Sequence, residues 1–252
     1  MAKKFKDYYD LECAQLIAGK IAAVWPEFNA DGFVRKLDAE IHDKEFLQRQ
    51  DAFATALEEF LTGDYVQDIA IFHQILGPEL QTTEGMFVYG WWLWPVGRYV
   101  ERNGTKDFPI SMDFIYQLTK RFTGEFAIRP LIEKYPKQSL EIIIKWSLDE
   151  NVHVRRLASE GVRIRLPWAK KSLVAIREFE TYSRILTNLN NDPEKFVQKS
   201  VGNNLNDLMK DAPELAMQII TAWQADNPGK ATQWIIRHGL RSQRKKNGNP
   251  VS

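Results

Sequence analysis

Apolar residues recur at three- and four-residue intervals along almost the whole chain, as in LECAQLIAGKIAAVW, DAFATALEEFLTG, SMDFIYQLTKRF, SLEIIIKWSL and PELAMQIITAW. That spacing lines one face of an α-helix, and no stretch shows the alternation of a half-buried strand or a hairpin signal. The pattern stops where helix-ending chemistry sits: Trp25-Pro26, Thr62-Gly63-Asp64, Asn103-Gly104, Thr123-Gly124, Tyr135-Pro136, Asp192-Pro193 and Asn227-Pro228-Gly229. The expectation is an all-α chain of about ten to fourteen short helices.

Self-similarity suggests how the helices are arranged. LDENVHVRRLASEG aligns with NNDPEKFVQKSVGNN at an offset of 43, pairing Asp149 with Asp192, Val154 with Val197, Arg156 with Lys199 and Glu160 with Asn203. EKYPKQSLEIIIKW aligns with KDAPELAMQIITAW at an offset of 77, pairing Pro136 with Pro213 and Trp146 with Trp223. A unit of roughly 40 residues and two helices fits a HEAT-like helical repeat solenoid, in which each pair covers the apolar face of the next and the stack curves. An irregular helical domain with chance self-similarity is the alternative.

Composition narrows the class. The 252 residues are 44% hydrophobic and 27% charged, enough for a sizeable core in one domain. No apolar run spans a bilayer and MAKKFKDYYD lacks a signal-peptide core, so a cytoplasmic protein with no membrane partner is expected. One cysteine and four scattered histidines give no disulfide and no support for a metal site.

The net charge of +1 conceals an asymmetry. Residues 1–120 carry 12 Lys and Arg against 19 Asp and Glu; residues 121–252 carry 22 against 14. The densest basic segments are His153–Arg177, with seven bases and one acid, and Lys230–Lys246, with six and none. Such clustering fits a polyanion such as the nucleic-acid backbone, or else a solvated helix face.

The one acid in the first segment, Glu160, raises the question of chemistry. On a helix from about Val152 to Gly161 it lies one turn after Arg156, so an ordinary i, i+4 pair is available. It also closes the helix before Gly161, where the dipole disfavours a negative charge, so a cationic ligand or the surrounding arginines explain it better than helix stability. Inside a groove that binds DNA a glutamate repels phosphate and is useful only if the substrate is locally cationic. A base alkylated on a ring nitrogen is such a substrate: it leaves without a general acid, and the anion stabilises the oxocarbenium-like sugar and orients water. Trp168, on the loop Leu166-Pro167-Trp168, can contact the same developing cation. Phosphate-binding loops, dinucleotide fingerprints, zinc-protease motifs and nucleophile elbows are all missing.

DENVHVRRLASEGVRIRLPWAKK resembles the signature of the AlkC branch of the AlkC/AlkD HEAT-like-repeat DNA glycosylases. WWLWPVGRYVERNG, GEFAIRPLIEKYP, FVQKSVGNNLNDLMKDAPEL and WIIRHGLRS follow the same family in order, so the resemblance covers roughly residues 85–245. It implies removal of cationic alkylated bases, of the 3-methyladenine and 3-methylcytosine class, from duplex DNA without base flipping, by a monomer that needs no cofactor or metal. Its implied catalytic residues are Glu125, Glu160 and Trp168. Its implied DNA-contacting surface includes Arg155, Arg156, Arg163 and Arg165, then Lys199 and Arg237; Lys170, Lys171, Asn203 and Arg241 on the same basic motifs complete the set. On this reading residues 1–252 form one domain with a basic concave face: N-terminal helices to 84, family-matching repeats over 85–245, and a basic, flexible tail over 246–252. Some relatives add an immunoglobulin-like domain, and from a chain ending RKKNGNPVS none is expected here.

Other candidates carry plainer readings. Glu125 also suits a first-turn acid favoured by a helix dipole. Trp91, Trp92 and Trp94 read as a packed aromatic cluster, and Trp146 and Trp223 as core. Asn203, Asn204 and Asn206 suit capping as well as phosphate or sugar contact. His153 and His238 are expected to face phosphate or solvent, and Tyr8 and Tyr9 to lie among helices that complete the groove wall. Two rival functions stand beside the glycosylase: a catalytically silent protein binding duplex or branched DNA, and a scaffold for acidic peptides.

Overall fold

Helix starts follow the polar residues at the breaks. Asp10, Asn29, Asp64, Asp107 and Asn151 each accept hydrogen bonds from amides of the turn that follows, satisfying donors a helix otherwise leaves open. Pro136 and Pro213 occupy first helical positions, where the missing N–H costs nothing. The computed structural model describes residues 3–246, and these are helical with no strand.

Up to Pro130 the helices form one compact unit. They are α1 (Leu11–Val24), α2 (Ala30–Glu40), α3 (Phe46–Phe60), α4 (Tyr65–Ile75), α5 (Met86–Tyr89), α6 (Trp94–Asn103) and α7 (Phe108–Thr119), and α8 (Arg129–Lys134) runs across the division. Helices α1, α4 and α7 pack side by side in one layer, and α2, α3 and α6 in a second. Trp94, 5% exposed, meets the rings of Phe5, Phe46, Phe87, Phe122 and Phe126, so the tryptophan cluster is core. Tyr9 is fully buried while Tyr8 stands half-exposed.

From Leu131 a second unit begins. It holds α9 (Pro136–Trp146), α10 (Val152–Glu160), α11 (Val174–Arg177), α12 (Phe179–Asn188), α13 (Lys195–Asp211), α14 (Pro213–Ala225), α15 (Lys230–Gly239) and α16 (Arg241–Lys246). Helices α9, α12 and α14 form one layer and α10, α13 and α15 the other, three stacked pairs of the HEAT-like kind. The two sequence offsets now have a single cause: α10 to α13 is one repeat, and α9 to α14 is two. Val197, Val201, Leu205 and Leu208 of α13 are fully buried, each contributing roughly 1.5 to 3 kcal/mol. Trp146 and Trp223 are buried as expected, and the Trp223 indole donates to Thr187 Oγ1 at 3.0 Å.

The sequence pattern undercounts the helices, since sixteen α-helices lie among the described residues. The surplus is short: α5, α8, α11 and α16 have four to six residues, too few to repeat an apolar spacing. The division at Pro130 falls inside the stretch 85–245. Beyond Lys246, the expected tail lies outside the described residues.

Candidate active site

Asn151 starts α10 by accepting from the amides of His153 and Val154, and the helix ends at Glu160, where the sequence puts its acid. The Glu160 carboxylate is 5% exposed. Arg163 Nη1 donates to its Oε1 at 2.7 Å, Arg156 Nη2 lies 3.6 Å from the same oxygen, and Ser200 Oγ donates to Oε2 at 2.5 Å. Arg163 is itself buried and gives its Nε to Asp207 at 3.0 Å. Burial acts to raise the Glu160 pKa, but Arg156 and Arg163, with the Ser200 and Arg163 hydrogen bonds, hold it below the ordinary carboxylate value. A buried, fixed and ionised carboxylate results.

Helix α13 supplies the other half of that cluster. Ser200, Asn204 and Asp207 recur at helical spacing and turn a polar stripe toward α10. Ser159 Oγ and Ser200 Oγ share a 2.7 Å hydrogen bond, Asn204 Nδ2 donates to the Ser159 carbonyl at 2.8 Å, and Asn204 Oδ1 accepts from the Tyr182 hydroxyl. Every polar group in the stripe is used, which is what keeps such a buried network from being a liability.

The loop after α10 presents Trp168. The Ala169 amide donates to the Leu166 carbonyl at 3.2 Å, with Pro167 and Trp168 between them and Trp168 at φ 62°. This is the pattern of a type II turn, whose third position normally takes glycine. A tryptophan held there costs on the order of 1 to 3 kcal/mol, and its side chain is 58% exposed. The loop is tied at both flanks. Arg165 forks onto Asp211 at 2.7 and 2.9 Å, Lys171 reaches the same carboxylate at 2.5 Å, and Ser172 hydrogen-bonds Glu133.

Glu125 belongs to the first unit. It lies in the turn before α8 rather than in that helix, 8% exposed, with Thr123 Oγ1 donating to its Oε2 at 2.8 Å. Gly124 is required beside it, because a Cβ there would come within 2.7 Å of Ile115 and Thr119 side chains.

The expected DNA-contacting residues divide into two groups. Arg155 binds Asp192 at 2.7 Å and two backbone carbonyls; Arg163 is enclosed by Glu160 and Asp207; Arg165 and Lys171 share Asp211. Arg156 lies over the Phe196 ring, 5.1 Å from its centroid. These charges are compensated within the fold. Lys199 and Arg237 are exposed and enter no ion pair among the described residues, and Lys170 is exposed on the loop. Asn203 accepts from Arg241 at 2.9 Å and lies 3.2 Å from His238 Nε2, while Asn206 ties α13 to the Gly239 carbonyl.

The histidine expectation is corrected. His153 is 2% exposed, packed against Phe196, because it follows Asn151 into the first turn of α10 on the side that meets α13. His238 is half-buried and stacked on Trp234, and burial together with Arg241, Lys199 and Lys195 pushes it down to about 4.

Sequence reasoning missed Asp192, Asp207, Asp211 and Ser200 as partners. The signal is in the spacing: each arginine finds its acid 37 to 46 residues later, one repeat on. Among the described residues no cluster of three or more His, Cys, Asp or Glu is placed to hold a metal ion, and no helix is long and apolar enough to cross a membrane.

Three comparisons bear on this geometry. Residues 123–242 match the family model described as DNA alkylation repair enzyme. An uncharacterized protein of Bacillus subtilis (strain 168), YhaZ, is 32% identical over 242 residues. The solved structure of Pseudomonas fluorescens alkylpurine DNA glycosylase AlkC, bound to DNA containing an abasic site analog, superposes with a TM-score of 0.83 at 34% identity. The matches to YhaZ and to AlkC each cover 96% of this chain, and the chain spans 65% of the length of each of these two relatives.

Proposed function

Because residues 123–242 match the family model described as DNA alkylation repair enzyme, we propose that the protein is a DNA glycosylase that hydrolyses the N-glycosidic bond of cationic alkylated bases in duplex DNA. The substrate class is 3-methyladenine and 3-methylcytosine, taken without flipping the base. The observation that carries the reading is Glu160, a carboxylate kept ionised in spite of burial and fixed by two hydrogen-bond donors and the neighbouring Arg156 cation. Fixed charge of this kind stabilises a transition state without reorganising as charge develops.

In the proposed reaction the C1′–N bond breaks with its electron pair going to the base, which departs neutral. Water adds to C1′ and loses a proton, leaving an abasic site. Glu160 stabilises the sugar cation and orients that water, and the exposed indole of Trp168 packs against the deoxyribose. A strained, exposed aromatic side chain is tolerated where function uses it.

A second reading has its own observation. With Arg156 and Arg163 on its carboxylate, Glu160 also suits a structural acid in a silent DNA-binding protein. Base release from methylated duplex DNA by wild type and Glu160→Gln separates the two. Loss of release with binding of undamaged duplex retained supports the glycosylase; no release by wild type supports the silent protein.

A further inference from the structure

On its other side α13 meets α15, and there the cations lack acids. Gly202 and Gly239 bring the helices close: a Cβ on Gly239 would come within 2.7 Å of Leu205, and one on Gly202 within 2.8 Å of His238. Beyond this contact the helices part into a cleft of about 430 Å³ lined by Lys195, Gln198, Lys230, Gln233, Trp234 and Arg237, with no carboxylate in its wall. Lys230 and Arg237 enter no ion pair among the described residues, and Lys199 follows one turn after Lys195. Lys195 has a neutral partner, Gln198 Oε1 at 3.1 Å, and its ammonium lies 3.3 Å from the Trp234 ring centroid. The indole thus serves where a counter-ion is missing. The field is felt nearby, since Arg237 helps burial push the Lys195 pKa down.

We propose that this cleft seats one nucleotide of a DNA strand, its phosphate between Lys230, Arg237 and Lys195 and its sugar or base against Trp234. Three cations beside an aromatic wall are the combination that holds a strand through phosphate and ring together. The volume is large enough to admit a nucleotide unit. This placement rests on the proposed DNA reading.

The test is the salt dependence of undamaged-duplex binding for wild type, Lys230→Gln/Arg237→Gln and Trp234→Leu, with thermal unfolding of each as the folding check. The double variant is expected to bind about tenfold more weakly and to flatten the slope of log K against log salt by one to two. Trp234→Leu is expected to lower affinity with the slope kept. Wild-type affinity and slope in the double variant overturn the cleft alone. Thermal stabilisation of wild type by deoxyadenosine monophosphate, lost in the double variant while its duplex slope stays wild-type, also overturns it, by showing a seat for a free nucleotide. If wild type neither binds duplex nor releases bases, the cleft and the glycosylase reading fall together.

Discussion

The two sides of α13 solve opposite electrostatic problems. Toward α10, each arginine meets an acid from the next repeat: Arg155 with Asp192, Arg163 with Asp207 as well as with Glu160 of its own repeat, and beyond them Arg165 with Asp211. Toward α15, Lys195, Lys230 and Arg237 line a cleft with no acid at all. The first side draws on the basic segment 153–177 and the second mainly on 230–246, yet the first uses its charge to hold repeats together and the second leaves it available. A basic run is therefore a poor guide to which cations meet a ligand.

The largest way to break the comparison is Arg163→Ala. It strips a buried pair and leaves Glu160 and Asp207 without their shared cation, so a loss of about 3 to 5 kcal/mol is expected in denaturant unfolding. A loss under about 1 kcal/mol means the compensated side is not structural. Gly239→Ala attacks the junction between α13 and α15 through its 2.7 Å approach to Leu205, and about 1 to 3 kcal/mol should be lost.

Smaller effects sharpen the account. Trp168→Gly removes a positive-φ strain at the turn, so the midpoint of unfolding should hold or rise by the equivalent of about 1 kcal/mol while base release falls. A clear drop in stability would mean that the indole is a packing residue. The Glu160 carboxyl is held below its ordinary value, so its stabilisation is present above the unfolded-state pKa near 4.3 and is lost as pH falls through the lower folded value. The stability gap between wild type and Glu160→Gln should thus stay constant from pH 7 to about pH 5 and close only below about pH 4. A gap that closes near pH 6 would show a raised pKa.

The helical pairs were legible because their breaks carry strong local chemistry: Pro136 and Pro213 open helices, and Gly63, Gly104 and Pro193 close or separate them. The Arg156–Glu160 pair could be read from an i, i+4 spacing alone. What the sequence hid were contacts between repeats. Arg163 and Asp207 are 44 positions apart, and nothing local to Arg163 marks it as buried. His153 likewise looks polar and exposed within its own helix, and only the packing of α10 on α13 turns it inward. Of the cleft beside Trp234 the sequence pointed only to Arg237, because the shape of the cleft depends on how α13 and α15 pack.

The central claim is that Glu160 is fixed and ionised for chemistry rather than for charge balance. The measurement that tests it most directly is release of methylated adenine and cytosine from methylated duplex DNA under single-turnover conditions, with wild type and Glu160→Gln at matched folded concentration. The account predicts release by wild type and a loss of at least about a hundredfold in the variant, with undamaged duplex bound as well or better. Equal release by both proteins, or a variant that releases bases normally once its lower stability is corrected for, contradicts it.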